Sequence, residues 1–240
     1  PDRRRPARLG ILDLGFDLVA ELPTPSGEGA GLGQLVRTDD GTIVVTRFGF
    51  GTDGDVAFVE PNGTTGVVPN ISTERRRIGL SIGGDGTLYD GYFVRLANGD
   101  RLGSVAMLSL AGTEQEVMTG LSKPVGVLVI GDALFVSDQD LGQILTAPLA
   151  TPEPYGVVAD VDGPDLLAAG PDGSLFTGST GGELYQVSAS GEASVLQGGF
   201  QQIRGVAYDP DHERLFVADH DGDETDGITH RIHILPIGRP

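Results

Sequence analysis

The chain has 240 residues, no cysteine and a formal net charge of −18, with 34 Asp and Glu against 16 Lys and Arg. The lack of cysteine excludes disulfides, thiolate metal sites and a cysteine nucleophile. The negative charge repels nucleic acid and anionic membrane surfaces, so neither is an expected partner. No apolar run approaches the roughly 20 residues of a membrane span.

The N-terminal region is predicted to be a linker over residues 1–8, followed by a single domain over residues 9–240. Because the chain begins at Pro1 rather than Met, we expect a leader before it and an exported bacterial protein, periplasmic or extracellular. The stretch LGILDLGFDLVAELP, Leu9–Pro23, is typical of two short strands joined by a turn.

An internal repeat follows, with units starting near residues 33, 79, 126, 166 and 205. Each unit has an apolar strand, an acidic turn that usually ends in Gly, and a second apolar strand, as in GQLVRTDDGTIVVTR, Gly33–Arg47. A third strand follows in every unit, and a fourth in the first four. The period of about 40–45 residues is that of a propeller blade.

The predicted fold is therefore all-β, a β-propeller with five four-stranded blades favoured and six blades as the alternative. The last unit reaches the end of the chain after its third strand. Because a ring must leave no open sheet edge, we expect an N-terminal strand to complete the last blade.

Several blades resemble known propeller families. The segment KPVGVLVIGDALFVSDQDLGQIL, Lys123–Leu145, resembles an NHL-type blade. The segment GPDLLAAGPDGSLFTG, Gly163–Gly178, resembles blades of the gluconolactonase and senescence-marker group, and the streptogramin-lyase-like propellers share this pattern. The resemblance implies the propeller fold and, in the lactonase group, a divalent metal held in the central channel by Glu, Asn, Asn and Asp.

The ligand positions implied by that resemblance are mostly changed in this chain. The residues at the corresponding level are Gln34, Ile78, Val125, Asp165 and Arg204. Only Asp165 matches, and an apolar side chain cannot bind calcium. We therefore do not expect the lactonase calcium site, and we predict that Asp165 pairs with Arg204 instead.

The stretch LFVADHDGDETDGITHRIH, Leu215–His233, is the richest in acids and histidines. Alternate acids, as in calcium-binding loops, predict a calcium site with zinc as the second choice. The predicted metal ligands are Asp219, Asp221, Asp223, Asp226 and His230. His220 and His230 are expected to face each other across the hairpin. The competing interpretation is a solvated acidic hairpin with surface histidines.

The residues that end the second strand of each blade are predicted to surround the channel mouth. They are Arg47, Tyr92, Asp138, Ser179 and Asp219. Arg47 is suited to a carboxylate or an oxyanion, Asp138 or Asp219 to accepting a proton, and Tyr92 to donating one. A polar network that simply closes the tunnel is the alternative. Longer loops in the first, second and fifth blades predict a rim around a pocket.

These patterns predict a small-molecule hydrolase of the lactone or ester type, or a lyase, acting at the channel mouth with possible metal assistance. The predicted catalytic residues are Arg47, Tyr92, Asp138, Asp219 and His220. The alternative is a non-catalytic propeller that binds a ligand or a protein. A small-molecule ligand and a monomeric chain are expected, and the basic run Arg75–Arg77 is predicted to lie on a loop or a strand edge.

Overall fold

The computed structural model describes residues 10–12, 18–21, 31–220 and 230–238. Its regular elements are strands, with short 3-10 turns at Gly49–Gly51 and Pro171–Gly173. Within this described part, no helix is long and apolar enough to cross a membrane. The chain divides into two compact units, residues 1–124 and residues 125–240.

The first unit contains a hairpin and two blades. The hairpin pairs β1 (Gly10–Leu12) with β2 (Leu18–Glu21). The first blade is an antiparallel sheet of β3 (Leu32–Arg37), β4 (Ile43–Arg47), β5 (Asp55–Val59) and β6 (Thr65–Val67). The second blade is the sheet of β7 (Arg76–Ile82), β8 (Leu88–Arg95), β9 (Arg101–Leu108) and β10 (Glu114–Leu121).

The second unit contains three further sheets. The third blade has β11 (Pro124–Ile130), β12 (Ala133–Asp138), β13 (Gln143–Pro148) and β14 (Gly156–Asp160). The fourth blade has β15 (Pro164–Ala169), β16 (Leu175–Ser179), β17 (Leu184–Val187) and β18 (Ala193–Gln197). The last sheet has three strands, β19 (Ile203–Asp209), β20 (Arg214–Asp219) and β21 (Arg231–Pro236).

This succession of antiparallel sheets is the strand organisation of a five-bladed β-propeller, and it confirms the predicted fold class. Among the described strands, β1 and β2 hydrogen-bond with each other, and the last sheet has three strands. Closure of the ring by an N-terminal strand stays a prediction. The two N-terminal strands are separated by a short connection, so pairing between them closes only a small loop.

Acidic turns with glycine join the paired strands, as the repeat predicted. In the β7–β8 turn, Gly86 has φ of 83° and its N–H donates to the carbonyl of Gly83. The Asp85 carboxylate accepts from the N–H of Thr87 at 3.0 Å. Glycine adopts this left-handed conformation without a steric penalty, and the Asp fixes the turn from its side chain.

Apolar side chains of neighbouring blades pack together within each unit. In the first unit, Val44 and Val56 of the first blade cluster with Leu80, Leu88 and Leu108 of the second. In the second unit, the last two blades share a core of Phe176, Leu184, Ile203, Leu215 and Val217. These apolar cores fix the positions of the strands that they join. Two of the predicted site residues, Arg47 and Asp219, are the last residues of such strands, β4 and β20.

Candidate functional site

Arg47 ends β4 as predicted, but its side chain is buried. It is 2% exposed, and its guanidinium makes a two-pronged ion pair with Asp55, the residue directly opposite on β5. Such forked pairing satisfies both charges inside the protein. The structure therefore gives Arg47 a role in joining two strands, which differs from the predicted role of an open anion site.

Tyr92 is also engaged inside its blade. Its hydroxyl donates to Glu116 on the outer strand β10, and the Arg75 guanidinium lies 4.0 Å from its ring centroid. Burial, together with the hydrogen bond to Glu116, raises the pKa of Tyr92 far above its ordinary value. A phenol in this state is a poor proton donor. The predicted role as a general acid is not supported by these surroundings.

A buried charged cluster occupies the same blade, and the sequence interpretation missed it. The run Arg75–Arg77 was predicted on a loop or strand edge, and that prediction did not include the burial of Arg77. This residue lies within β7, is fully buried, and pairs with Asp90 of β8 and with Glu114 of β10. The signal available in the sequence was Asp90, an isolated acid inside the apolar strand LYDGYFVR.

Both carboxylates of this cluster pair with Arg77, and Glu114 also pairs with Arg75 at 2.8 Å. Burial opposes the ionisation of Glu114, but the hydrogen bond and charge of Arg77 outweigh it and lower the pKa of this carboxyl. Burial dominates at Asp90 and raises its pKa to about 6, although Arg77 partly offsets it. Within the described residues, Asp90 Oδ1 has no hydrogen-bond partner. Asp90 is therefore the carboxyl of this cluster whose ionised form is the less favoured.

In the second unit, the predicted pairing of Asp165 with Arg204 is confirmed. Arg204 Nη1 donates to Asp165 Oδ2 at 3.0 Å, and Gln139 Nε2 donates to the same oxygen at 3.2 Å. Arg204 Nη2 donates to Gln202 Oε1 at 2.9 Å. The Arg204 side chain is nevertheless 42% exposed, so part of its guanidinium faces solvent.

Asp219 is held by the backbone and faces a histidine. Its Oδ1 accepts from the N–H groups of Gln201 at 2.9 Å and Gln202 at 3.2 Å. Its Oδ2 lies 3.3 Å from Nε2 of His233 on β21. The His233 ring packs edge-on against Phe200, with 5.1 Å between ring centroids. A carboxylate fixed in this way orients the imidazole and selects its tautomer.

Gln202 links these two groups of residues. Its backbone N–H donates to Asp219, and its side-chain oxygen accepts from Arg204. A hydrogen-bonded chain therefore runs from His233 through Asp219, Gln202 and Arg204 to Asp165. We call these five residues the Gln202 network.

Asp138, another predicted site residue, is buried and accepts from the N–H of Leu141 at 3.3 Å, which closes its own turn.

His220 and His230 face each other, as the sequence suggested. Their rings stack with 4.5 Å between centroids and 28° between planes. The predicted metal ligands Asp221, Asp223 and Asp226 lie outside the described residues, so the metal set stays a prediction. Within the described part of the chain, no group of three or more His, Cys, Asp or Glu is placed to hold a metal ion.

Comparisons with known proteins give the fold. No family model and no curated protein matches this chain. Solved structures do match it. A gluconolactonase from Xanthomonas campestris is 16% identical, with a TM-score of 0.66 over 80% of this chain and 70% of that one. Virginiamycin B lyase from Staphylococcus aureus is 13% identical, with a TM-score of 0.62 over 91% and 74%.

A third match is not described as an enzyme. The structure of a nidogen/laminin complex contains a chain 18% identical to this one, with a TM-score of 0.64 over 81% of this chain and 74% of that one. The fold is that of these propellers. At such low sequence identities the structural similarity does not show that this chain has an activity, because one fold can serve many unrelated functions.

Proposed function

We propose that this chain is a small-molecule hydrolase of the lactone or ester type, or a lyase, and that the Asp219–His233 pair moves the proton. The single observation that carries this proposal is the Asp219 carboxylate, held by two backbone amides and facing Nε2 of His233 at 3.3 Å. A histidine oriented by a fixed carboxylate is the usual arrangement of a general base.

The chemistry follows from the tautomer that Asp219 favours. When Nε2–H donates to Asp219, Nδ1 of His233 carries the lone pair. In hydrolysis, Nδ1 takes a proton from water, and the water oxygen attacks the carbonyl carbon. The imidazolium then returns the proton to the leaving oxygen. In a lyase reaction, Nδ1 would instead take a proton from carbon as the bond to the leaving group breaks. Asp219 stabilises the positive charge on the ring in both cases.

Arg204 is the proposed substrate anchor. Its guanidinium is partly exposed and is positioned by Asp165 and Gln202. A guanidinium held on two sides presents its remaining N–H groups in a fixed direction, which suits a carboxylate or a developing oxyanion. Gln202 thus hydrogen-bonds both to Arg204, the proposed anion-binding group, and to Asp219, which orients the proton-transferring His233.

A non-catalytic binding propeller is the second candidate. The observation that favours it is the last strand, β21, where Ile232 and Ile234 are 65% and 55% exposed. Exposed apolar side chains on an outer strand are typical of protein contact surfaces. The match to the nidogen/laminin complex is consistent with such a role.

Metal assistance at the acidic loop, with calcium first and zinc second, remains a prediction, as do export and a monomeric state.

The test of the proposed function is turnover by the purified chain. A panel of aliphatic lactones and aryl esters would be incubated with the protein, and product formation followed by mass spectrometry. We expect hydrolysis of at least one class above the buffer rate. For the lyase reaction, the panel is extended to virginiamycin B, which the name of the matched lyase gives as its substrate, and products of elimination are sought. If no member is converted, the binding candidate replaces the enzyme.

A further inference from the structure

Three arginines lie together on one face of the second blade. Arg95 of β8 and Arg101 of β9 are direct cross-strand partners. Arg76 of β7 is the direct partner of Phe93, which lies two residues before Arg95 on β8. Cross-strand partners, and residues two apart on a strand, project from the same face of a sheet. Arg76, Arg95 and Arg101 therefore share the face of Phe93, and we call them the arginine cluster.

Aromatic side chains lie against this cluster. The Arg76 guanidinium is 5.5 Å from the ring centroid of Phe48 and 5.9 Å from that of Phe93, and Arg101 is 5.6 Å from Phe93. Phe50 packs edge-on against Phe48 with 5.1 Å between centroids, yet it is 54% exposed. The β4–β5 loop of the first blade thus brings an exposed ring to the border of the cluster.

The same loop approaches the arginines closely. Gly51 has φ of 95°, and a Cβ at this position would lie 3.1 Å from Nε of Arg76. Phe50 itself has φ of 52°, a left-handed conformation that is unfavourable for an aromatic residue. The backbone here therefore passes close to the Arg76 guanidinium and presents the Phe50 ring to solvent.

The cluster is a concentration of like charge in an acidic protein. Desolvation, and then the charges of Arg95 and Arg101, lower the pKa of Arg76 below its ordinary value. Among the residues that the structure describes, no carboxylate pairs with Arg76 or Arg95. Their neighbours Arg75 and Arg77, by contrast, pair with Glu114, Glu116 and Asp90. Like charges in direct cross-strand contact are destabilising.

We propose that the arginine cluster binds the anionic group, a phosphate or a carboxylate, of a small organic molecule, and that Phe50 packs against the apolar part of that molecule. An anion between the guanidinium groups removes their mutual repulsion and is held by forked hydrogen bonds. Nucleic acid and anionic membranes fit less well, because the net charge of −18 repels large polyanions. This site is independent of the Gln202 network and of the proposed reaction.

The test uses phenyl phosphate and benzoate as probes, with inorganic phosphate as the probe that lacks a ring. Binding to the whole chain is measured by calorimetry at constant ionic strength. We expect one of the two aromatic probes to bind at least tenfold more tightly than inorganic phosphate. The variants R76Q and R95Q should each weaken that binding about tenfold, which is the effect of losing one charge-assisted hydrogen bond. R37Q, at an exposed arginine of the first blade, should bind as the parent chain does.

A second readout separates binding from folding. Because Arg95 is exposed and lies opposite Arg101, R95Q should raise the melting temperature in anion-free buffer while reducing the shift that phenyl phosphate causes. Loss of Phe50 in F50A should reduce the preference for aromatic probes and leave inorganic phosphate unaffected. The proposal is overturned if the parent chain binds neither aromatic probe, or if R76Q and R95Q bind them as tightly as the parent does.

Discussion

Asp219 and His233 lie on the same face of the last blade, diagonally across β20 and β21, with Oδ2 and Nε2 3.3 Å apart. The blade contains a second pair of the same kind, Asp209 and His212, whose atoms are 2.8 Å apart. His212 is 64% exposed and lies between β19 and β20, whereas His233 is 33% exposed and packs on Phe200. The two pairs have similar hydrogen bonding and different surroundings, so one is a natural control for the other.

The substitution D219N should abolish most of the turnover. An asparagine can still accept from Gln201 and Gln202, but it then presents an NH2 group to His233 and favours the opposite tautomer. We expect kcat to fall at least a hundredfold, the usual contribution of a general base, with little change in KM. Steady-state kinetics over a range of pH checks this. A purely structural role for Asp219 would change the melting temperature and leave the shape of the pH–rate profile intact.

The substitution R204Q should act on substrate binding. Glutamine keeps a hydrogen bond to Asp165 but removes the charge that faces solvent. We expect KM for anionic substrates to rise about tenfold, equivalent to about 1.4 kcal/mol, while neutral substrates are less affected. Kinetics with a matched pair of neutral and carboxylated esters measures the difference. If KM rose equally for both esters, the role of Arg204 would be to hold Gln202 in place and not to bind the anionic substrate.

The buried carboxyl of Asp90 should make the protein more stable at mildly acidic pH than at neutral pH. Its pKa is raised to about 6 in the folded protein, above its unfolded value. Between these two values the folded state binds more protons than the unfolded state, so this contribution is present at low pH and is lost as pH rises towards about 6. The substitution D90N should remove that pH dependence. Urea denaturation of both chains between pH 4 and 7 measures it, and parallel curves would show that Asp90 does not titrate there.

The packing between the last two blades should not tolerate a methyl group at Gly178. A Cβ at this position of β16 would overlap Cβ and Cγ2 of Ile203 on β19. Overpacking of this kind costs about 1–3 kcal/mol, and we expect G178A to lose that much stability. A Cβ at Gly198 would have no neighbouring atom within 4 Å, so G198A is the matched control and should be close to neutral. Equal denaturation midpoints for the two variants would contradict the packing described here.

The sequence predicted the blades because their turns repeat a local signal, an acid and a glycine between two apolar strands. It also predicted the contact of Asp165 with Arg204, since both residues occupy the same level of neighbouring repeats. It did not predict that Arg77 is buried, because a run of three arginines gives no sign of Asp90 and Glu114, which lie on other strands. His233 was missed for a related reason. Alternation along β21 assigns it to a face, but only the register with β20 brings it to Asp219.

The same limit explains Arg47 and Tyr92. Arg47 ends β4 as predicted, whereas Tyr92 lies three residues before the end of β8 (Leu88–Arg95), so its predicted strand-end position is wrong. Both side chains reach partners within their blades, Asp55 and Glu116. The sequence pattern predicts the approximate position of a residue along its strand. It does not predict which hydrogen-bond partner a long side chain will reach.

The most direct measurement of the central claim compares H233Q with H212Q on the best substrate of the lactone and ester panel. Both variants remove a histidine that contacts an aspartate in the same blade, and both keep a side chain able to hydrogen-bond. The account predicts that H233Q loses at least a hundredfold in kcat while H212Q retains the parent rate. Equal rates for the two variants, both close to that of the parent chain, would contradict a role for His233 in proton transfer.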